Sequence, residues 1–367
     1  MSIYTPFWAR PEYDKSQPIL MYGFGLFGTY YLKRLHAEGV KIKAIFDANP
    51  ELHDTEVVGI PILSPEKISE FSRDYVVFIA VLGYKYTLTK MFRELGFTHI
   101  FNEYEPEIKH IESLVLNKFQ HKAIIEKNAS KIEEARKLFH EPKSLEIFDA
   151  ALDAWGSGNW ERLEAQFQPE VILPDDIYDK NAQEVLVECG AYEGGGVYSF
   201  IHQSGHKYGF IYAFEPSELE FAICSRSFRL NRIPNIELHR LAVCDIDGTI
   251  TFSDGDNSHQ GAKILEEGSG IKIPSTRLDT FFSQPNKKTP TLIRMDIEGA
   301  EVSALYGAKS LIYNHMPNLA ISAYHRLEDY WEVPLTIAKL SKHPGYDIYL
   351  RHFRCYYDTI CFAKSKA

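Results

Sequence analysis

Two short apolar runs in this chain lead directly into glycine-rich turns. PILMY (18–22) precedes GFGLFG, and EVLVE (184–188) precedes CGAYEGGG. Each turn is followed by a helical pattern and then by another apolar run that ends in an acidic residue, Asp47 in the first copy and Glu215 in the second. This order of strand, glycine turn, helix and strand is typical of parallel sheets covered by helices. We therefore expect an α/β protein with two such sheets.

The spacing of apolar residues divides the chain into three predicted regions. Residues 1–104 alternate short strands and helices, which indicates a small Rossmann-like domain of the nucleotide- or sugar-nucleotide-binding type. Between 105 and 180, apolar residues recur at steps of three and four, which predicts a helical connector and cap. Residues 181–367 alternate strands and helices again, and they close with GYDIYLRHF and YYDTICFA, which we expect to form an antiparallel hairpin.

The composition limits the classes of partner. With 45% hydrophobic and 25% charged residues, the 367-residue chain has the makeup of an ordinary globular protein with buried cores. A formal net charge of -10 argues against nucleic acid or an anionic membrane surface as the main partner. No segment approaches the roughly 20 consecutive apolar residues of a membrane helix. The first residues, MSIYTPFWARPEYDKSQP, lack the apolar core of a signal peptide.

Cysteine usage indicates a reducing compartment. The five cysteines are odd in number, and they show neither a CxxC motif nor metal-ligand spacing. Cys189, Cys224 and Cys244 lie in or beside apolar runs, so we predict buried free thiols. The expected location is the cytoplasm.

The first glycine turn matches the GxGxxG pattern of dinucleotide-binding folds. Gly23, Gly25 and Gly28 follow a predicted strand and open a helix, and Asp47 closes the next strand, 19 residues past Gly28. In such folds the glycines admit a pyrophosphate to the helix N-terminus, and the acid binds a ribose diol. This predicts a nucleotide or nucleotide-sugar site. The alternative is that the glycines only allow close packing of strand and helix.

The second turn differs because it contains two carboxylates, Glu188 and Glu193. Two unneutralised carboxylates disfavour a diphosphate by several kcal/mol where solvation is poor. A ligand that carries an ammonium and a sulfonium would instead be attracted by the two carboxylates. S-adenosylmethionine is such a ligand. Glycines at 190, 194, 195 and 196 would let it lie across the strand ends, and Glu215 could accept both ribose hydroxyls. The alternative is that the two acids are solvated or cap the following helix, which the helix dipole favours.

Six motifs in this half of the chain resemble those of FkbM-type methyltransferases. CGAYEGG, AFEPS, LDTFF, RMDIEGAE, SAYHRLEDYWEVP and YLRHF follow one another in the order of that family, over about residues 140–365. The resemblance implies a class I methyltransferase Rossmann-like fold, with a mostly parallel seven-stranded sheet and a C-terminal antiparallel hairpin. It also implies S-adenosylmethionine as the cofactor and O-methylation of a hydroxyl of a sugar, glycan or natural product.

The resemblance assigns roles to individual residues. The motifs place the methionine side of the cofactor along the glycine turn, at Glu188, Gly190, Ala191, Tyr192, Glu193 and Gly194. They imply that Glu215, followed by Pro216, binds the ribose and that Ala242 and Val243 border the adenine. Asp296 would face the transferable methyl group and the acceptor. The chain departs from the family pattern where Asp is frequent (Glu188, Glu193), where Lys is frequent (Arg294) and where polar residues are frequent (Gly195, Gly196).

The N-terminal region resembles a different class of domain. GFGLFG, FDANP and GIPILSPE, within residues 17–102, are similar to the small Rossmann-like domain of sugar acyltransferases and sugar-nucleotide C-methyltransferases. This resemblance suggests a sugar-nucleotide or glycan acceptor.

Removal of a hydroxyl proton requires a general base. His325 follows a predicted strand and is the first candidate, and Asp296 is the second. The alternative for His325 is a histidine that only hydrogen-bonds within the fold. Asp296 and Glu298, with Glu301, could instead bind Mg²⁺. This is not favoured, because Glu301 is predicted to point away from Asp296 and Glu298 can equally cap the helix that starts near Gly299.

Four further polar residues are candidates for the rim of an acceptor site. They are Arg326, Asp329, Arg351 and His352, and the alternative for each is a surface ion pair. We expect the acceptor to be a small molecule or a glycan, and we expect no nucleic-acid or membrane partner. The sequence is compatible with a homodimer.

Two other functions remain open from the sequence. One is an NAD(P)-dependent oxidoreductase that uses GFGLFG and Asp47, although residues 48–104 supply no evident Ser/Tyr/Lys set for hydride transfer. The other is a binding protein that senses a nucleotide without chemistry. The several acids of the second turn argue against a pure scaffold, because a scaffold needs none of them.

Overall fold

A computed structural model describes most of the chain. The described residues are 13–14, 16–81, 85–101, 118–157, 160–168, 172–179, 181–252, 264–265, 271–343, 345–353 and 358–366. Three parts of the sequence analysis fall wholly or largely outside these residues. They are the first residues, which lack a signal-peptide core, the part of the predicted helical connector at 105–117, and Cys355. The other four cysteines are buried and free, as predicted.

The chain separates into two compact units. The first contains the described parts of Met1–Phe119 and Ser157–Ala165, and the second contains those of Gln120–Gly156, Gln166–Phe353 and Tyr357–Ala367. The predicted boundary at 104–105 falls outside the described residues, as does residue 180. The division into three regions therefore stays a prediction.

The first unit is built on a six-stranded sheet. Its strands are β1 (Ile19–Tyr22), β2 (Ile42–Phe46), β3 (Thr55–Val57), β4 (Ile60–Leu63), β5 (Val76–Ile79) and β6 (Ile100–Phe101). Their order is β3-β4-β2-β1-β5-β6, and all neighbours are parallel except β3 and β4. Helices α1 (Leu26–Ala37) and α2 (Lys85–Glu94) and two 3₁₀ helices (Pro50–Leu52, Pro65–Glu70) complete it. Apolar clusters cover both faces of the central strands, as expected for buried parallel strands.

The middle of the chain is helical, as its apolar spacing predicts. The helices are α3 (Lys118–Lys127), α4 (Ala129–Arg136), α5 (Pro142–Ser157) and α6 (Glu161–Glu164). In α5 a continuous apolar face, which includes Ile147, Phe148 and Ala151, is fully buried in the second unit. This burial stabilises the helix, because amphipathic helices gain most of their stability from packing.

The second unit contains the remaining elements. Its strands are β7 (Val185–Cys189), β8 (Phe210–Phe214), β9 (Ile236–His239), β10 (Ala242–Val243), β11 (Gly248–Phe252), β12 (Ile264–Leu265), β13 (Ile271–Thr276), β14 (Leu292–Met295), β15 (Asn318–Ser322), β16 (Tyr346–His352) and β17 (Thr359–Ser365). Its further helices are α7 (Gly195–Gln203), α8 (Glu218–Leu230), α9 (Leu278–Phe282), α10 (Glu301–Gly307), α11 (Lys309–His315) and α12 (Asp329–Leu340).

A seven-stranded sheet forms the centre of this unit. The strand order is β16-β17-β15-β14-β7-β8-β9, and β17 runs antiparallel to both of its neighbours while the other pairs are parallel. The predicted parallel sheet with a C-terminal antiparallel hairpin is therefore confirmed. A second sheet, in the order β10-β13-β11-β12, was not predicted from the sequence. In the part of the chain that the structure describes, no helix has both the length and the apolar character needed to cross a membrane.

Candidate active site

The carboxyl ends of β7, β8, β14 and β15 meet at one edge of the seven-stranded sheet. β7 pairs in parallel with β8 and with β14, and β14 pairs in parallel with β15, so the chain leaves all four strands at the same edge. Gly190, Glu215 and Asp296 each directly follow one of these strands, and His325 lies three residues past β15. The structure thus brings together the second glycine turn, the predicted ribose acid and both candidate bases.

Close contacts with protein atoms explain two glycines of the turn. Gly190 has a φ of 84°, and a Cβ there would overlap the carbonyl oxygen of Asp296. A Cβ on Gly196 would overlap the carboxylate of Glu188. Gly195, by contrast, has open space where its side chain would be. A ligand therefore has room at Gly195, whereas protein atoms already occupy the space beside Gly190 and Gly196.

The rest of the turn is fixed through its backbone. The amide of Ala191 donates to the carbonyl of Phe214 at 3.0 Å. Tyr192 adopts a left-handed conformation with a φ of 48°, and both Tyr192 and Glu193 are exposed. Gly194, with a φ of 94°, precedes the first residue of α7. The turn therefore presents the Glu193 carboxylate to solvent above a rigid backbone.

The prediction of two unneutralised carboxylates is wrong for Glu188. The Glu188 side chain is fully buried, and Arg294 donates a 2.5 Å hydrogen bond to it from the neighbouring strand. Glu188 and Arg294 are register partners on β7 and β14, which makes the contact direct. Arg294 also reaches Asp296, with 3.2 Å between Nη2 and Oδ2. Burial without a partner would be very unfavourable for a carboxylate, and Arg294 removes that penalty.

Glu215 is held at the end of β8 by two backbone amides. Tyr192 N–H donates to its Oε2 at 2.7 Å, and Ser217 N–H donates to its Oε1 at 2.9 Å. The residue is 6% exposed, and burial raises the pKa of its carboxyl, with the charges of Glu220 and Glu298 adding to the effect. Each oxygen keeps capacity for a second hydrogen bond. The carboxylate is therefore positioned rigidly and gains from any hydroxyl donor placed beside it.

The predicted adenine-side residues lie in a different element. Ala242 and Val243 form β10, which pairs with β13 in the four-stranded sheet, and both are buried. Pro216 follows Glu215 and is half-buried. Contact of these residues with a ligand stays a prediction.

Asp296 is surrounded by donors. Besides Arg294, Tyr324 O–H donates to its Oδ1 at 3.0 Å. Burial opposes ionisation, but Arg294, His325 and hydrogen bonds from Tyr324 and Ser322 together hold the pKa of the Asp296 carboxyl below its usual value. Asp296 is therefore ionised at neutral pH, as a proton acceptor must be.

His325 lies among three carboxylates. Its Nδ1 is 3.0 Å from Glu301 Oε1, and its Nε2 is 3.4 Å from Asp296 Oδ1 and 3.6 Å from Glu298 Oε2. Burial alone would lower the pKa of the imidazole, but the charges of the three acids outweigh burial and raise it to about 10. The ring therefore holds a proton at neutral pH. A general base requires the opposite state, so this environment argues against the first candidate base and favours Asp296.

The prediction that Glu301 points away from Asp296 is wrong. Oxygen or nitrogen atoms of Asp296, Glu301 and His325 all lie within 4.8 Å of one another, and among the described residues this is the group suited to a metal ion. Glu301 turns back across the start of α10 and accepts from Ile297 N–H at 2.9 Å. Glu298, which the sequence paired with Asp296 for Mg²⁺, is outside this group, and its side chain is 42% exposed.

The predicted rim role is wrong for Arg351, His352 and Asp329, because all three side chains are buried. Arg351 is 1% exposed and pairs with Glu141 and Asp176, and His352 is buried against Thr359 at 2.9 Å. Arg351 and His352 lie at the end of β16, whose last three residues are all buried.

The fourth rim candidate, Arg326, pairs with buried Asp329. Arg326 Nη2 donates to Asp329 Oδ1 at 2.9 Å, and the Asp329 side chain has no exposure. Burial raises the pKa of Asp329 to about 6. Arg326 itself is half-exposed, so it alone among the four can meet a ligand from solvent.

The first glycine turn has a mixed geometry. A Cβ on Gly28 would overlap the carbonyl oxygen of Gly23, and Gly23 has a φ of 100°, so these two glycines are needed for close packing. A Cβ on Gly25 would meet open space. Asp47 accepts from Phe24 N–H at 2.6 Å and so binds its own turn. The nucleotide site in the first unit stays a prediction.

Sequence reasoning missed the part played by three residues of this site. Arg294 interrupts an apolar strand and lies two residues before Asp296, which directly follows the strand, and this spacing favours the same side of an extended chain. That interruption was a usable signal. Glu301 has a usable signal as well, because an acid in the first turn of a helix often reaches back to the preceding amides. For Tyr324 the sequence holds no such signal.

Comparison with known proteins identifies the domain. The family model for the methyltransferase FkbM domain matches residues 188–351. Methyltransferase 1 of Beauveria bassiana (strain ARSEF 2860) is 22% identical over 185 residues, which are 44% of this chain and 74% of that protein. The crystal structure of methyltransferase FkbM from Methylobacillus flagellatus KT covers 95% of this chain and 90% of its own, with a TM-score of 0.60 and 23% identity.

These matches agree with the motifs and with the sheet topology. The Methylobacillus structure shows that the predicted class I methyltransferase fold is correct. The family match begins at Glu188 and ends at Arg351, so it includes the glycine turn, Glu215, Asp296 and His325. Residues 188–351, which lie in the second unit, therefore match the methyltransferase FkbM domain.

Proposed function

We propose that the second unit transfers a methyl group from S-adenosylmethionine to a hydroxyl of a sugar, glycan or natural product. The observation that carries the proposal is Glu215, a buried carboxylate fixed by two backbone amides at the end of β8. In a Rossmann-like sheet, an acid at this position accepts the hydroxyls of a ribose. The FkbM domain match supports methyl transfer as the reaction.

The charges of the site fit a cationic cofactor. Glu188 is neutralised by Arg294, so the attraction for an ammonium and a sulfonium comes from Glu193, Glu215 and Asp296. Open space at Gly195 allows a ligand to approach the start of α7. None of these carboxylates would tolerate an unneutralised diphosphate at the same place, which favours S-adenosylmethionine over a dinucleotide in this unit.

The residues of the site align the reactants and accept a proton. The bound cofactor supplies a methyl group on a cationic sulfur. Loss of the methyl group leaves that sulfur as a neutral thioether. Alignment of the acceptor oxygen in such a displacement is worth about 7–11 kcal/mol of the barrier. Asp296 accepts the hydroxyl proton in this proposal, because it is ionised and partly exposed. His325 keeps its proton and orients Asp296 from the side of β15.

Three features of the chain support the proposed class of acceptor. Both resemblances drawn from the motifs involve sugar chemistry, and the net charge of -10 disfavours a nucleic-acid acceptor. Asp296, Tyr324 and Arg326 offer both acceptors and donors near the strand ends, which suits a polyhydroxyl compound.

Calorimetric titration tests the cofactor part of the proposal. The wild-type protein should bind S-adenosylhomocysteine, and Glu215→Ala should weaken the affinity by at least about tenfold, as expected for lost hydrogen bonds to a charged group. Glu218→Ala is the matched control, because Glu218 lies three residues on and is exposed. Binding of NAD⁺ in place of S-adenosylhomocysteine would overturn the proposal and make the first glycine turn the working site.

An acceptor screen tests the reaction. The protein is incubated with methyl-labelled S-adenosylmethionine and a panel of sugars, UDP-sugars, glycans and phenols, and labelled products are counted. Transfer to a hydroxyl should fall by about 10²–10⁴-fold in Asp296→Asn, which is more than any accompanying loss of S-adenosylhomocysteine affinity. Equal turnover in Asp296→Asn would exclude Asp296 as the base.

A further inference from the structure

Three buried or half-buried side chains converge beyond the ends of β14 and β15. Their donor atoms belong to Asp296, Glu301 and His325, and they lie within 4.8 Å of one another. Two ligands of one metal ion, each bonded at about 2.0–2.2 Å, are at most about 4.4 Å apart. A contraction of a few tenths of an ångström would therefore bring all three donors onto one ion. We propose that Asp296, Glu301 and His325 form a binding site for a divalent first-row transition-metal ion.

Unsatisfied buried atoms support this site independently of the acidic cluster. The His325 side chain is 7% exposed, and its Nε2 has no hydrogen-bond partner, while its Nδ1 lies 3.0 Å from Glu301 Oε1. Glu301 is fully buried, and its Oε2 also has no partner. Buried polar atoms in folded proteins are nearly always hydrogen-bonded or bound to an ion. Two such atoms on two adjacent side chains, beside the carboxylate of Asp296, point to a positively charged ligand between them.

The neighbouring contacts hold the three ligands in place. Glu301 Oε1 accepts from Ile297 N–H at 2.9 Å, which leaves Oε2 for the metal. Tyr324 O–H donates to Asp296 Oδ1 at 3.0 Å, and Arg294 binds the other oxygen. A metal ion would displace one of the protons that the His325 ring holds in its absence, and the other ring nitrogen would still lie beside a carboxylate. Carboxylates in that position orient metal-bound histidines in many proteins.

The donor set selects the class of metal. Two carboxylates and one imidazole suit Zn²⁺, Fe²⁺, Co²⁺ and Mn²⁺, whereas Mg²⁺ prefers oxygen ligands alone. The site therefore differs from the Mg²⁺ pair of Asp296 and Glu298 that the sequence suggested. Three protein ligands leave coordination positions open. If the chain methylates a hydroxyl, a step that rests on the proposed function, an acceptor oxygen bound there would lose its proton more readily.

Metal titration of the full chain tests the site without any need for activity. Protein treated with a chelator and then dialysed is titrated with Zn²⁺ by calorimetry and with Co²⁺ by visible absorption. We expect one ion per chain, and a Co²⁺ spectrum typical of nitrogen and oxygen ligands. Glu301→Gln and His325→Gln should each weaken binding by at least about tenfold. Wild-type protein that binds neither ion would overturn the proposal.

Glu298→Gln is the matched control. Glu298 lies 3.6 Å from His325, but it is outside the group of three ligands. The variant removes a negative charge from the same cluster without removing a ligand, so its affinity for Zn²⁺ should stay within about threefold of wild type. An equal loss in Glu298→Gln and Glu301→Gln would show only diffuse attraction of cations to acids, and would overturn the site.

Thermal unfolding with and without Zn²⁺ distinguishes loss of the metal site from misfolding of a variant. A ligand that binds the folded state raises the unfolding temperature, so Zn²⁺ should stabilise the wild type and Glu298→Gln. At the same Zn²⁺ concentration it should stabilise Glu301→Gln and His325→Gln much less, and the folding of both variants is checked by circular dichroism. S-adenosylhomocysteine binding is measured on the same samples. Its loss with metal binding intact would contradict the proposed function and leave the metal site standing.

Discussion

Arg294 on β14 donates a 2.5 Å hydrogen bond to Glu188, its register partner on β7. The same guanidinium reaches Asp296, with 3.2 Å between Nη2 and Oδ2. One buried cation thus links the acid beneath the glycine turn to the acid proposed as the proton acceptor. Because Glu188 is fully buried and Arg294 is 7% exposed, solvent screens this pair only weakly.

Removal of Arg294 should strongly destabilise the second unit. Arg294→Met leaves the buried Glu188 carboxylate without its cation, and breaking a buried pair in this way costs about 3–5 kcal/mol. Urea denaturation would measure the free energy of unfolding. The double variant Glu188→Gln/Arg294→Met removes the uncompensated charge, so it should recover part of the loss. A single variant as stable as wild type would contradict the buried pair.

Two glycines of the same turn should respond in opposite ways to alanine. Gly190→Ala places a Cβ against the carbonyl of Asp296 at a φ of 84°, so it should cost more than about 2 kcal/mol. Gly195→Ala meets open space in the first residue of α7, and its stability should stay within about 1 kcal/mol of wild type. Thermal unfolding compares the two. If Gly195→Ala keeps its stability but loses S-adenosylhomocysteine affinity, the open space belongs to the cofactor.

The fold of the second unit could be predicted because its signals are local. Apolar runs, glycine turns and acids at strand ends mark β7, β8 and β14, and each lies where the sequence indicates. The four-stranded sheet was missed because β10 and β12 have only two residues each, too few for a periodic pattern. Short strands acquire their structure from the partners they pair with, which the sequence does not state.

The shared position of the candidate site residues could be predicted from the sequence, but their contacts could not. Glu215, Asp296 and His325 lie at one edge of the sheet, as strand order requires. The pairing of Glu188 with Arg294 depends on the register of two strands more than 100 positions apart, and the sequence does not fix this register. The same limit applies to Arg351, whose partners Glu141 and Asp176 come from distant segments.

Arg351 should behave as a structural residue. Its guanidinium binds both oxygens of Glu141, at 2.7 and 3.1 Å, and also Asp176 at 2.7 Å. A lysine keeps the charge but cannot form this fork, so Arg351→Lys should lower the free energy of unfolding by about 1–3 kcal/mol. Arg240→Lys, at an exposed pair with Glu218, is the control and should change stability by less than about 0.5 kcal/mol. Equal effects would contradict the buried network.

His352 should make the stability of the second unit depend on pH. Burial lowers the pKa of its imidazole to about 3, whereas an unfolded histidine titrates near about 6.5. Between these values the unfolded chain binds more protons, so this contribution is fully present above about pH 6.5 and is lost by up to about 1.4 kcal/mol per unit as the pH falls. His352→Gln should flatten the profile of unfolding free energy between about pH 4.5 and 6.5 relative to wild type. His202→Gln, which changes an exposed histidine on α7, should leave the profile as it is. An unchanged slope in His352→Gln would mean that the ring is not buried in its neutral form.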